Sequence, residues 1–125
     1  MRRARAIDLL RPASVRAAWW GIRAARRAEW QLRDGGIEAV HLSPPPSLPQ
    51  SSEVGVSAAL RLRRPACLVR AVVRQQWHAA HDSPRDIVIG VQGPITSFRA
   101  HAWLDGDPPC HSEGFEELLR HPAAR

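Results

Sequence analysis

The chain of 125 residues carries 18 Arg, no Lys, 12 acids, 6 His and 2 Cys, and 44% of it is hydrophobic. A single core of this size buries about two-thirds of the surface that the unfolded chain exposes, so the composition predicts one compact domain and excludes any need for disulfide staples. The net charge of +6 is uneven: residues 1–33 hold nine Arg, including Arg2, Arg3 and Arg5, against Asp8 and Glu29, whereas residues 34–125 hold nine Arg against ten acids.

Residues 14–33, SVRAAWWGIRAARRAEWQLR, read as an amphipathic helix. Ser14 is the expected N-cap. Val15, Ala18, Trp19, Ile22, Ala25 and Trp30 fall near one face, and Arg16, Arg23, Arg27 and Arg33 ring the other. Gly35-Gly36 ends it, because a helix C-terminus favours the positive φ that glycine adopts freely. IEAVHL at 37–42 reads as a short strand. In SPPPSLPQSSE at 43–53, the prolines remove backbone donors and favour an extended, wrapping segment. VGVSAALRL at 54–62 reads as a short helix. The divisions expected are a basic N-terminal segment over 1–53 and a core over 54–125.

The clearest helix starts at Pro65-Ala66-Cys67. Leu68, Val69, Val72, Val73, Gln76, Trp77 and Ala80 follow a 1-4-5-8-9 pattern, and Arg70, Arg74, Gln75, His78 and His81 are assigned to solvent. After HDSPRD, the β-branched run IVIGV at 87–91 reads as a buried strand, and QGPITS at 92–97 as a loop. FRAHAWL at 98–104 is the next strand, GDPP at 106–109 a tight connection, and CHSE at 110–113 a short returning strand. GFEELLRHP reads as one or two closing helical turns.

Cys67 and Cys110 stand 43 residues apart without a CxxC pattern, the Arg-rich start has no apolar signal region, and no run reaches the ~18 apolar residues of a spanning helix. A reduced, cytoplasmic protein without a membrane partner is therefore expected. His78 and His81 alone do not form a metal-ligand cluster.

Cys67 at a helix start is a candidate nucleophile. Aligned backbone dipoles and unpaired N–H groups there favour the thiolate, and the same N–H groups suit a tetrahedral oxyanion. A half-buried structural cysteine is the alternative. His101, mid-strand in FRAHAWL, is the candidate base, with a satisfied structural histidine as its alternative. If residues 106–109 form a hairpin loop, His101 stands opposite residue 113 or 114, so Glu113 is the candidate acid that orients the imidazole. Asp105 comes second, because strand rise puts it about 13 Å from His101. Asp107, in the turn, is farther still.

A Cys at a helix start, a His on a strand and an acid on the next strand is the order of papain-like thiol enzymes and transglutaminases. CLVRAVVRQQWHAAH, then DIVIGV, then FRAHAWLDGD resemble the leader peptidase of lasso-peptide biosynthesis, the stand-alone transglutaminase-like "B" protein, over residues 65–117. The resemblance implies an α+β fold with a nucleophile helix packed on a small antiparallel sheet, preceded by an N-terminal helical segment. It places the nucleophile on Cys67 and the base on His101. The family's Asp falls on Glu113, a departure by one methylene. It implies a cysteine peptidase that needs no metal or organic cofactor and cuts the leader from a ribosomal precursor peptide. A separate small leader-binding protein would deliver the substrate, and a macrolactam-forming cyclase would follow in the sequence. The basic, Trp-bearing helix is where contact with that partner or an acidic leader is expected; a helix simply packed by its tryptophans is the alternative. Acyl transfer by the same triad and a non-catalytic basic binding protein are the rival functions. Nucleic acid is not an expected partner, since no recognition module is present.

Overall fold

The computed structural model describes residues 10–94 and 97–123. Arg2, Arg3, Arg5 and Asp8, and Ile95 and Thr96 of the loop expected at 92–97, lie outside the described residues. The described chain divides into two compact units, one ending at Pro65 and the other beginning at Ala66.

The first unit is built on two helices, α1 (Pro12–Gly35) and α2 (Glu53–Arg63), packed against each other. α1 starts earlier than expected. Pro12 occupies its first turn, where a missing N–H breaks no helical bond, so Arg11 is the N-cap and Ser14 is buried inside the helix. Gly36 ends α1 at φ +74°, and its N–H donates to the Leu32 carbonyl at 3.1 Å.

The buried face of α1 also differs from the expected one. Ser14, Ala17, Gly21, Ala24, Ala25 and Ala28 form it together with Trp20, whereas Trp19 and Trp30 are 58% and 68% exposed. The small side chains allow close backbone approach. A Cβ on Gly55 of α2 would run into the Ser14 carbonyl, so shape selects the buried stripe over the bulkier Trp19 and Trp30 stripe.

Residues 37–42 are not a strand. Ile37–Ala39 form a 3-10 turn, after which the extended backbone is fastened side-on: Gln31 Nε2 donates to the His41 carbonyl at 3.1 Å, and the His41 N–H donates to Gln31 Oε1 at 2.9 Å. Trp20 Nε1 then donates to the Ser43 carbonyl at 3.1 Å, laying the start of the Pro-rich segment along α1. The Gln31 amide thus supplies the pairing that a partner strand would otherwise provide.

The second unit is α3 (Cys67–Ala80) and a three-stranded antiparallel sheet of β1 (Ile87–Gln92), β2 (Arg99–Leu104) and β3 (Glu116–His121). Helix plus small antiparallel sheet is the α+β class expected from the sequence. β1 is central, in the order β2-β1-β3, and α3 packs chiefly on β2. Val69, Val72, Val73 and Trp77 of α3 are buried, as are Ile87, Val88 and Leu104 of the sheet.

Gln75 and His78 are buried rather than solvated. Gln75 Nε2 donates to the Arg85 and His121 carbonyls at 2.9 and 3.1 Å, so its burial is matched by hydrogen bonds that tie α3 to the entry of β1 and the end of β3.

Two expectations for the C-terminal third are corrected. Residues 110–113 are not a returning strand: Pro108 and Pro109 cannot donate to a ladder, and Pro109–His111 form a 3-10 turn. The segment after Gly114 is not helical either. Its Glu-Glu-Leu-Leu-Arg run pairs with the open edge of β1, with a register shift between Ile89 and Gly90. Tertiary pairing overrides a helix-favouring composition here.

Candidate active site

Cys67 is the first residue of α3 and is half-buried. Ala66, its N-cap, contributes no side-chain hydrogen bond, so the first-turn amides of α3 meet no capping side chain. Amides in this position form the positive end of the helix dipole.

His101 lies on β2 opposite Gly90 of β1. Its ring forms a triangle with two aromatics, 5.8 Å from Trp103 and 5.2 Å from Phe115 by ring centroids, which are 6.3 Å from each other. Trp103 shares the His101 side of β2 by the two-residue period of a strand. A Cβ on Gly90 would lie 2.6 Å from Trp103 Cη2, so the glycine leaves the space that the indole occupies beside His101.

The hairpin that was to bring Glu113 opposite His101 is absent. β2 pairs only with β1 among the described strands, because the chain after β2 crosses to the far edge of β1. Glu113 is exposed in the turn before β3, with its N–H donating to the Pro109 carbonyl at 2.9 Å. Phe115 of that same turn reaches the His101 ring. Among the described residues, neither the Glu113 carboxylate nor the His101 imidazole has a hydrogen-bond partner.

Asp105 is engaged elsewhere, accepting from Arg120 Nη1 of β3 at 3.1 Å. Asp107 is held by Arg74 of α3: Nη1 and Nη2 donate to its two carboxylate oxygens at 2.8 and 2.7 Å, and the Leu104 N–H donates at 3.0 Å. Its side chain is 2% exposed. Burial alone would raise the Asp107 pKa, but the Arg74 and Leu104 bonds, together with the Arg74 and His111 charges, outweigh it and hold the carboxyl below its ordinary range.

A family model described as the transglutaminase-like superfamily matches residues 9–120. The chain belongs to the transglutaminase-like superfamily. Neither the curated proteins nor the solved structures contain a match.

Within this transglutaminase-like domain, sequence reading missed four residues: Gly90 and Phe115, which shape the surroundings of His101, and Arg74 and Asp107, which join α3 to the end of β2. Arg74 was assigned to solvent and Asp107 to a distant turn; they are 33 residues apart, and no local spacing links them. Gly90 and Phe115 carried a faint signal. A glycine inside a β-branched strand marks a close approach, and a lone Phe among charged residues marks a buried contact. No group of three or more His, Cys, Asp or Glu among the described residues has the arrangement of a metal site. No helix of the described residues is long and apolar enough to cross a membrane.

Proposed function

We propose that this transglutaminase-like domain is a cysteine peptidase that removes the leader from a lasso-peptide precursor, with Cys67 as nucleophile and His101 as general acid and base. The observation that carries this reading is that α3, which begins at Cys67, packs on β2, which bears His101.

An ion pair also joins the two elements. From Arg74, the fork onto Asp107 marks one end of the α3–β2 layer. Cys67 lies two helical turns back on the same face of α3, about 10.5 Å at 1.5 Å per residue. His101 lies three residues back from Leu104, the residue whose N–H also binds Asp107, about 10 Å along β2. The fork thus ties together the two elements that bear the thiol and the imidazole.

In the reaction, the Cys67 thiolate attacks the scissile carbonyl carbon, and the first-turn amides of α3 receive the oxyanion. His101 gives its proton to the leaving amine as the C–N bond breaks, leaving the leader as a thioester on Cys67. His101 then takes a proton from water, whose oxygen attacks the thioester and frees the leader as a carboxylic acid. Glu113 lies on the turn whose Phe115 reaches the His101 ring, and its role as the orienting acid requires its carboxylate to turn onto the imidazole. An amine in place of water would make the same thioester the intermediate of acyl transfer, a reaction class that the superfamily also contains. The partners of this reading are the precursor leader, a small leader-binding protein that presents it, and the cyclase that uses the released core.

The test is a reconstituted mixture of precursor, leader-binding protein and this protein, analysed by mass spectrometry. Cys67→Ala and His101→Ala are expected to abolish release of the core with the fold intact by circular dichroism. Undiminished release by Cys67→Ala contradicts the proposal.

A further inference from the structure

We infer that the groove between α1 and the Pro-rich segment is a docking site for an extended, acidic peptide. The groove encloses about 1000 Å³ and lies entirely within the first unit. On its α1 side, Arg16, Trp19, Arg23, Arg27 and Trp30 recur at the three- and four-residue steps of one helix stripe, with Arg26 beside them. Pro44 and Pro46 stand on the other side.

Charge decides the occupant. Among the described residues, no acid lines the groove and none of Arg16, Arg23, Arg26 and Arg27 has a carboxylate partner. Glu29, on the same helix, is taken by Arg63 of α2 at 3.4 Å. Three uncompensated guanidinium groups along one stripe, with Arg26 beside them, attract carboxylates, and their planar forks bind a carboxylate through two bonds. A side chain that folding needs is buried, yet Trp19 and Trp30 are 58% and 68% exposed on this stripe. They offer flat apolar faces to the methylene stems of the acidic side chains that meet the stripe.

The groove walls set the form of the peptide. Pro44 and Pro46 have no N–H, so that wall cannot accept a peptide as an added strand, and recognition falls to the Arg and Trp side chains. From Arg16 to Trp30 the stripe runs about 21 Å at 1.5 Å per residue, the span of about six residues of extended peptide. Alternate side chains of such a peptide face the same way, so acids at every second position meet the Arg stripe.

The inference takes from the proposed function only that the substrate is a peptide, and it concerns α1 rather than Cys67. The test uses the full chain carrying Cys67→Ala, so that binding is read without turnover. The probe is a fluorescein-labelled ten-residue peptide of alternating Glu and Leu, followed by anisotropy at low salt. Saturable binding is expected, weakened at least tenfold by Arg23→Glu with Arg27→Glu, at least tenfold by Gln for every Glu of the peptide, and several-fold by Trp30→Ala. Arg23→Gln with Arg27→Gln repeats the first loss without added negative charge, and circular dichroism confirms the helices in each variant. Absence of binding, equal binding of the Gln peptide, insensitivity to both Arg pairs, or tighter binding of a ten-base oligothymidylate overturns the inference, the last by making the groove a nucleic-acid surface. Precursor cleavage by the wild type without peptide binding would leave the proposed function standing and remove this one. Peptide binding without cleavage would do the reverse.

Discussion

Arg74 of α3 holds Asp107, just beyond β2, through two parallel hydrogen bonds of 2.8 and 2.7 Å, and the same carboxylate caps the Leu104 N–H. The fork joins the helix that starts at Cys67 to the end of the strand that bears His101. Because the Asp107 side chain is almost wholly buried, the pair is shielded from the solvent screening that weakens surface ion pairs. Arg74 is a quarter exposed, which moderates the cost of losing it.

Asp107→Asn is therefore expected to lower stability by about 2 kcal/mol, in the range for hydrogen bonds to charged groups. It is also expected to lower kcat through loss of alignment, with little change in KM. Denaturant melts and leader-cleavage kinetics check both. Wild-type stability with lowered kcat would make Asp107 a participant in the chemistry.

The pH dependence of this clamp has a definite sign. The Asp107 carboxyl is held below the unfolded value of about 3.9, so the unfolded state binds its proton first as pH falls. The clamp's contribution is complete above that value and is lost as pH drops through the lower folded one. Thermal melts from pH 7 to pH 3 are expected to narrow the gap between wild type and Asp107→Asn toward the acid end. A difference in melting temperature that stays constant to pH 3 contradicts the assignment.

Gly90→Ala tests the aromatic setting of His101. The added methyl would meet the Trp103 indole within 3 Å, and a displaced indole disturbs the adjacent imidazole. Overpacking of this kind costs about 1–3 kcal/mol. A fall in both melting temperature and kcat is expected, and unchanged kcat would show that Trp103 does not position His101.

The acid is separated by comparing Glu113→Gln with Asp105→Asn. Asp105 already pairs with Arg120 at the sheet edge, so its loss is expected to leave turnover near wild type. Glu113→Gln is expected to lower kcat at least tenfold. The reverse ranking would assign the orienting role to Asp105.

Cys110 lies exposed in the 3-10 turn at Pro109–His111. Cys110→Ser is expected to retain full cleavage. A strong loss in that variant, with Cys67→Ser active, would reverse the roles of the two thiols.

The sequence exposed the elements whose signals are local. Pro65 and the apolar period that follows it locate α3, and the β-branched run at 87–91 locates β1. In α1 the helix was legible but its buried face was not, since Ala, Gly and Trp compete for the interface and only the close approach at Gly55 decides in favour of the small residues. The third strand was illegible for a different reason. Glu116–His121 has no alternation of apolar and polar residues, is exposed along nearly its whole length, and becomes a strand by pairing with β1. That pairing also removed the hairpin from which Glu113 was placed opposite His101. Positions of Cys67 and His101 follow from local pattern, whereas the clamp between their elements depends on residues far apart in the chain.

The most direct measurement is the intact mass of the protein, acid-quenched during turnover of the precursor with its leader-binding protein. The account predicts a transient adduct equal to the leader mass less one water, mapped by proteolysis to Cys67 and missing in Cys67→Ala. An adduct on Cys110, or core release by Cys67→Ala at the wild-type rate, would contradict it.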